Sequence, residues 1–528
     1  MQRRKEFSLR LLCIGNSLES AVMRRDIGMS QISVNDLTFY YDGSYDSIFE
    51  KVSFQIDTDW KLGLIGRNGR GKTTFLNLLL GKYEYKGSIT SSVSFDYFPF
   101  GVEDKKKLTI DIVEDVDSTY ELWKICRELN LLQVDCEVLY RSFETLSNGE
   151  QTKVMLAILF SKENSFLLID EPTNHLDMEA REVLAAYLKK KRGFILVSHD
   201  RYFLDQCIDH VLSINKTNID VVQGNFSSWW ENKRRQDEYE LAENDRLKGE
   251  IKRLSQAAKQ KESWSNAVEK TKYQSGKRGG DINPGFSDRG YVGHKAAKMM
   301  KRAKVIEGRA QNAVLEKKKL LKNIEEAEKL KLFPLRYHKD TVLRVEDLQI
   351  AYGERKIFDP VSFEVRNGER VVLEGRNGCG KSSILKAVLG DKISYTGKIE
   401  LASGLKISYV SQDTAHLKGT LTEYAKEHDL DESLFKALLR KLDFSRVQFD
   451  KRIEEFSGGQ KKKVLIAGSL CERAHLYLWD EPLNFIDIFS RMQIEDLIAE
   501  FEPTMILVEH DKRFVEKIAT KRIDIDAT

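Results

Sequence analysis

Two glycine-rich stretches carry the most specific chemistry in the chain. Gly66–Thr73 reads GRNGRGKT and Gly375–Ser382 reads GRNGCGKS. Both fit GxxxxGK[ST], and each follows a short apolar run and precedes a helical pattern, the setting such a loop requires. Gly66, Gly69 and Gly71, and likewise Gly375, Gly378 and Gly380, let backbone N–H groups curl around phosphate oxygens with no Cβ in the way. The helix N-terminus behind each loop adds partial positive charge. Lys72 and Lys381 are expected to neutralise the β- and γ-phosphates of a nucleotide, and Thr73 and Ser382 to give a hydroxyl to Mg2+. Asn68 and Thr74, with Asn377 and Ser383, complete the two phosphate-binding sets.

Further along, Asp170 and Asp480 end apolar strands, so their carboxylates are expected at the C-terminal sheet edge, able to hold Mg2+ directly or through water. Glu171 and Glu481 follow at once and are the candidates for polarising an attacking water, where positioning matters more than deprotonation. His199 and His510 also follow apolar strands, where a neutral imidazole would bond the γ-phosphate.

The elements that must position these groups occur twice. ISVNDLTFYYDGSYDSIFEKVSFQI from Ile32 matches LRVEDLQIAYGERKIFDPVSFEV from Leu343; FLLIDEPTNHLD matches LYLWDEPLNFID; ILVSHD matches ILVEHD. Short continuous apolar runs such as LGLIG and FILVS predict strands buried on both faces of a parallel sheet, each followed by helical periodicity. The fold class is therefore α/β, with two copies of one domain at 29–227 and 336–528 and a segment at 228–335 between them. Residues 1–28 lack the pattern. They are expected to be a disordered extension or a start placed too early, since Met29 opens the first strand. With 528 residues, two to four domains are expected. No run approaches 18 apolar residues, six scattered cysteines make no disulfide scaffold, and a cytoplasmic protein is expected.

These residues resemble the ATP-binding cassette superfamily over essentially all of both repeats. The discriminating motif is its signature, here SNGE (Ser147–Glu150) and SGGQ (Ser457–Gln460), each beginning 24 residues before the candidate Glu (171 − 147 and 481 − 457). The resemblance implies two tandem P-loop nucleotide-binding domains paired head to tail within one chain, as a monomer, with two ATPs and Mg2+ between them. One ATP would touch Lys72, Asp170, Glu171 and His199, plus Ser457, Gly458, Gly459 and Gln460. The other would touch Lys381, Asp480, Glu481 and His510, plus Ser147, Gly149 and Glu150. Tyr41 and Tyr352 match the adenine-stacking aromatic, and Gln412 in YVSQD matches the glutamine grouped with the metal ligands. There are departures. The first copy reads VSFDYFPFG where that glutamine belongs, its signature has Asn148 and Glu150 for the usual Gly and Gln, and Phe485 replaces the His of NHLD. Unequal hydrolysis at the two sites is expected, with no indication of which is slower.

The segment at 228–335 has two pieces rich in Ala, Lys, Glu and Leu at helical spacing, around a middle stretch with Pro284 and six glycines. A helical hairpin is expected, its first helix about 46 residues and roughly 70 Å long. From Trp230 to Leu335 there are 26 Lys plus Arg against 16 Asp plus Glu, a net +10, so the rest of a chain of net +3 sums to −7. A basic hairpin with distal aromatics fits phosphate contacts and base stacking. Two cassettes, a long charged linker and no membrane domain together resemble the ABC-F family, the ribosome-binding branch. The short first cassette, DYFPF and the long linker resemble its antibiotic-resistance members, the Lsa and Vga groups above all. That resemblance implies an ATPase that binds the tRNA exit site in its ATP state. It would meet large-subunit rRNA and P-site tRNA there, and dislodge lincosamide, streptogramin A and pleuromutilin drugs with a linker tip at Asp281, Ile282, Phe286 and Tyr291. The alternatives are a housekeeping translation factor of the same family and the energy-coupling ATPase of a membrane exporter.

Overall fold

The computed structural model describes residues 31–41, 47–174, 176–215, 218–274, 330–352 and 355–525. The linker-tip residues Asp281, Ile282, Phe286 and Tyr291 lie outside the described residues, as do His175 and residues 1–30.

The first cassette has strands β1 (Gln31–Phe39), β2 (Phe49–Asp57), β3 (Lys61–Ile65), β4 (Lys86–Thr90), β5 (Ser94–Phe98), β6 (Ser165–Asp170), β7 (Phe194–Val197), β8 (His210–Ile214) and β9 (Ile219–Gln223). Its helices are α1 (Lys72–Leu79), α2 (Thr109–Val116), α3 (Leu122–Leu131), α4 (Asn148–Ser161), α5 (Met178–Lys189) and α6 (Arg201–Cys207). Strands β2-β1-β4 form an antiparallel sheet, and β5-β6-β7-β3-β8-β9 a second sheet, parallel but for β9. In the second sheet β3 lies between β7 and β8, and β6 is next to β7. The loop after β3, the carboxylates after β6 and the histidine after β7 therefore leave one sheet edge side by side.

Helix α7 (Phe226–Gln274) follows, 49 residues long, or about 74 Å at 1.5 Å per residue. It starts two residues before the expected segment and carries mostly charged, exposed side chains along its described part.

The second cassette repeats the plan with β10 (Thr341–Tyr352), β11 (Arg355–Lys356), β12 (Val361–Arg366), β13 (Arg370–Glu374), β14 (Tyr395–Leu401), β15 (Ile407–Val410), β16 (Leu476–Asp480), β17 (Met505–Val508) and β18 (Lys521–Asp524). Its helices are α8 (Lys381–Leu389), α9 (Leu421–Glu427), α10 (Glu432–Lys441), α11 (Gly458–Cys471), α12 (Ile488–Phe501) and α13 (Lys512–Ile518). Strand order β15-β16-β17-β13-β18 is wholly parallel. Phe166–Ile169 and Leu476–Trp479 are buried on both faces, which is why they read as continuous apolar runs rather than alternating ones. Leu330 and Leu332, expected within the segment at 228–335, are instead buried in the second cassette's helical core, so that cassette begins before residue 336.

The two cassettes meet through charged side chains of α5 and α6 on one side and α12 and α13 on the other. Arg201 at the start of α6 pairs with Glu495 of α12, and both side chains are buried. Lys517 lies 3.5 Å from the same carboxylate. Arg513 of α13 pairs with Asp205 of α6, and Lys512 reaches Glu182 at 3.2 Å and the Tyr202 hydroxyl at 3.2 Å. No helix among the described residues is long and apolar enough to cross a membrane.

Candidate functional site

Each phosphate loop is shaped by glycines that no other residue would replace easily. Gly71 and Gly380 sit at φ 92° and 99°, and a Cβ on Gly71 would lie 2.6 Å from Ile48 Cγ2. Gly71→Ala is expected to cost about 1–2 kcal/mol from the left-handed backbone alone, and more from that contact. Equilibrium denaturation with and without nucleotide would measure both the loss and any weakened binding. Lys72 Nζ donates to Gly66 O (2.7 Å) and Asn68 Oδ1 (3.2 Å); Lys381 Nζ donates to Gly375 O (2.6 Å) and Arg376 O (2.7 Å). Both ammonium groups are thus folded over their own loops, at the place a phosphate would take. Burial pulls the Lys72 ammonium below its ordinary range, against the raising influence of Asp487 and Glu171.

The hydroxyl–carboxylate pairs fall as expected. Thr73 Oγ1 is 3.4 Å from Asp170 Oδ2, and Ser382 Oγ is 3.0 Å from Asp480 Oδ1. Burial raises both aspartates, and hydrogen bonds from Tyr97 and Thr73, or from Ser382, oppose it. No cluster of three or more metal-ligating side chains exists among the described residues. A hydroxyl and a carboxylate beside a phosphate cradle suit a Mg2+ that takes its remaining oxygens from water and substrate.

The next residues show what the sequence pattern hides. Glu171 N still bonds Val197 O at 2.9 Å, and Glu481 N bonds Val508 O at 3.0 Å, so the sheet ladder runs through both. Yet both adopt left-handed φ, 52° and 45°. A strand would send them away from the preceding aspartate; the left-handed turn redirects each carboxylate toward the histidine of the neighbouring strand. His199 Nε2 is 3.2 Å from Glu171 Oε1, and His510 Nε2 is 3.7 Å from Glu481 Oε1. Glu171 Oε1 and His510 Nε2 are buried and make no other hydrogen bond among the described residues. Burial and the neighbouring Lys72 push His199 well below its ordinary value, so its imidazole is neutral.

The two copies then diverge. Glu481 Oε2 accepts from Gln412 Nε2 at 2.8 Å and from Asn484 Nδ2 at 2.6 Å. Burial would raise this carboxyl, but nearby His510 and these hydrogen bonds outweigh it and hold it at about 2. Gln412, grouped by sequence with the metal ligands, has its amide committed to Glu481. In the first copy β5 ends at Phe98, followed by a cis peptide to Pro99, and Phe100 takes the glutamine's place. Tyr97 donates to Asp170 Oδ2 instead, at 2.9 Å. Burial, with Asp170 beside it, pushes the Glu171 carboxyl up to about 8. One Glu is ionised and held by amides; the other is protonated at neutral pH.

Each loop faces the signature of the other cassette. An open cleft of about 860 Å³ is lined by Asn68, Gly69, Glu171 and His199 from the first cassette and by Ser457–Gln460 from the second. A second cleft, of about 1530 Å³, is lined by Lys381, Ser382, Gln412, Glu481 and His510 together with Ser147, Asn148 and Gly149. Asn68 Nδ2 donates across the first cleft to Phe485 O at 3.3 Å, and Arg67 pairs with Asp443. Both signature serines cap their helices. Ser457 N donates to Gln460 Oε1 at 2.9 Å. Ser147 N and its hydroxyl both donate to the Glu150 carboxylate, at 2.8 and 2.9 Å.

Tyr41 and Tyr352 stand beside the loops, each bonding the hydroxyl one past the loop: Thr74 at 2.8 Å and Ser383 at 3.0 Å. Both rings are exposed, and that of Tyr41 packs edge-on against Phe39 and Tyr83. Sequence reasoning missed the buried cations behind the site. Lys463 Nζ bonds Asp487 Oδ2 at 2.8 Å, and Arg491 Nη1 bonds Asp511 Oδ2 at 3.1 Å. The apolar helix positions around them were legible, but not which cation turned inward.

The fold and the paired clefts define a tandem ABC-type P-loop protein, an ATPase that binds ATP and hydrolyses it to ADP and phosphate. A family model described as ABC transporter matches residues 49–174 and 358–484. The chain is 28% identical over 503 residues to the ribosome protection protein VmlR of Bacillus subtilis, covering 92% of this chain and 85% of the relative. It is 27% identical over 487 residues to the erythromycin resistance ATP-binding protein MsrA of Staphylococcus epidermidis, covering 88% and 92%. In fold it is similar to the archaeal ribosome recycling factor aABCE1, solved with ribosomal stalk protein aP1, at TM-score 0.59 and 18% identity over 93% of this chain and 87% of that one.

Proposed function

We propose that this protein is an ABC-F-type ribosome-protection ATPase. The observation that carries the reading is the facing of each phosphate loop by the other cassette's signature, so that two bound ATPs would draw the cassettes together. The 49-residue polar helix between the cassettes supports it, as do relatives named for ribosome protection and erythromycin resistance. In the ATP state the protein docks at the tRNA exit site of a cytoplasmic ribosome, against large-subunit rRNA and P-site tRNA. The linker tip, Asp281, Ile282, Phe286 and Tyr291, then dislodges drugs of the lincosamide, streptogramin A and pleuromutilin type.

Within each cleft the chain's own residues have separate tasks. Lys72 and Lys381 leave their loop carbonyls for the phosphates. Thr73 with Asp170, and Ser382 with Asp480, hold Mg2+, which when bound neutralises charge on the β- and γ-oxygens. Glu171 and Glu481 orient the attacking water, and His199 and His510 face the γ-phosphate. Tyr41 and Tyr352 take the adenines.

The Glu150 carboxylate brings a negative charge, and an acceptor for the Ser147 hydroxyl, to a signature that should face phosphate. Glu150→Gln keeps the cap, as Gln460 does, and keeps an amide oxygen that can accept from Ser147, but removes the charge. It is expected to raise ATP affinity and turnover about threefold to tenfold, in line with the roughly 1 kcal/mol weight of one surface charge interaction. Steady-state phosphate release would show it.

The reading is tested by co-sedimentation of a Glu171→Gln, Glu481→Gln double variant with ribosomes in ATP, paired with inhibitory concentrations for peptidyl-transferase drugs in a susceptible host. Binding with raised drug tolerance is expected. Binding without any change in tolerance would favour a general translation factor. No binding would favour an exporter's energy module.

A further inference from the structure

The internal repeat supplies a built-in reference for the surface of the first cassette. Between its β5 or β15 strand and the signature each copy carries two helices and two 3-10 turns, in matching positions. In the first copy, this segment leaves Trp123 59%, Tyr140 64%, Leu131 41% and Leu108 43% exposed. The residues at the same positions of the second copy are Ser433, Asp450, Lys441 and Thr420. The correspondence is fixed by shared geometry as well as by offset. Leu108 and Thr420 both cap the first helix and both bridge to the strand-like residue before the signature, Ser142 and Arg452. Val447, 67% exposed opposite Glu137, is the single reverse case among these positions. One fold position in water selects a polar residue in one copy and a large apolar one in the other. Burial within the cassette does not explain the difference at the two strongest positions, because Ser433 and Asp450 are exposed like Trp123 and Tyr140, while Lys441 and Thr420 are half-buried.

The apolar residues lie on adjoining elements. Trp123, Arg127 and Leu131 follow at i, i+4 and i+8 along the outer face of α3, and the Arg127 guanidinium lies 5.6 Å from the Trp123 ring centroid. The 3-10 turn Cys136–Tyr140 packs against α3. Leu108 is one residue from Thr109, whose N–H bonds Arg141 O at 2.9 Å beside Tyr140. A tryptophan and a tyrosine held outward on rigid elements are the residue types that anchor protein interfaces.

Charge selects the partner. From Glu103 to Ser147 there are 6 Lys plus Arg against 11 Asp plus Glu; from Ala415 to Ser457 in the second copy there are 8 against 9. A nucleic acid would be repelled by the first of these surfaces, and a basic protein attracted.

We propose that the outer face of the first cassette's helical segment, Trp123, Leu131 and Tyr140 within an acidic surround, docks a basic protein segment bearing apolar side chains. On the ribosome reading, on which this inference rests, that segment belongs to a protein at the ribosome surface rather than to rRNA.

The test exchanges the three residues for those the second copy carries: Trp123→Ser, Leu131→Lys and Tyr140→Asp in the Glu171→Gln, Glu481→Gln protein. Because all three side chains are exposed, the fold should survive, and unchanged ATP affinity would verify it. Ribosome co-sedimentation is expected to weaken at least tenfold. A second protein carries a photoreactive phenylalanine in place of Trp123 and is illuminated on ribosomes; a covalent adduct with a ribosomal protein is expected. Equal sedimentation of the triple variant and its parent, or an adduct with RNA alone, would overturn this inference and leave the ribosome reading standing. Failure of the parent itself to sediment would remove the ribosome reading, and this inference with it.

Discussion

Glu481→Gln is expected to lower steady-state ATP hydrolysis by about 100-fold, whereas Glu171→Gln lowers it by less than about twofold. The difference follows from surroundings, since both glutamates share a left-handed backbone and a histidine neighbour. Glu481 is ionised at neutral pH, and its carboxylate is fixed by Gln412 and Asn484 at 2.8 and 2.6 Å. Such an array holds a water in one orientation, and loss of one positioned group of this kind costs about two to three orders of magnitude. Glu171 has no amide from the strand end, where Phe100 stands, and burial keeps its proton on up to about pH 8. The cleft around Lys381 should therefore carry nearly all turnover, in spite of its altered signature.

The pH dependence separates the two sites. The unfolded chain releases the Glu171 proton near 4.5, but the folded chain holds it to about 8. Raising the pH through that window therefore removes stability, and only at its upper end does the site gain a carboxylate. In Glu481→Gln the residual hydrolysis should climb between pH 7 and 9. In the unaltered protein, where Glu481 is ionised throughout, it should stay nearly flat. Equal losses in the two single variants, or a flat profile in Glu481→Gln, would refute the assignment.

The second large effect concerns the contact between cassettes. Glu495→Ala is expected to destabilise the paired cassettes by about 3–5 kcal/mol, because it leaves Arg201 buried without its carboxylate. The pair itself is worth less than that: the cost of taking two charges from water offsets much of their attraction, and much of the loss is the stranded cation. An Arg201→Met, Glu495→Met double variant should therefore recover most of the loss. Thermal unfolding of the three proteins gives the cycle. Recovery of less than about a third of the loss would show that the charges, rather than mere filling of space, hold α6 against α12.

How much of this was legible in the sequence depends on range. The phosphate loops, the carboxylates after β6 and β16 and the histidines after β7 and β17 were all found from local pattern, because glycine content and apolar runs report the backbone directly. The facing of loop and signature came from family resemblance and has its geometric counterpart in the two clefts. The left-handed turn at Glu171 and Glu481 left no mark, because it is imposed by the neighbouring strand through Val197 and Val508. Tyr97 carries no local signal; its hydroxyl matters only because β5 lies beside β6, where it meets Asp170. Arg201 and Glu495 are 294 residues apart, and nothing local predicts which of 85 cations meets which of 82 anions.

Helix α7 has a mechanical side. Its described stretch is braced by ion pairs one turn apart: Glu231 with Arg235, Lys233 with Asp237, Arg234 with Glu238 and Arg246 with Glu250, at 3.2 to 3.6 Å. Each brace contributes a few tenths of a kcal/mol and is screened by salt. The helix is thus a rod held by its backbone hydrogen bonds, whose side-chain bracing is tuned by the electrolyte around it. Diluting the salt stiffens it, and concentrating counterions around it makes it compliant along the same length.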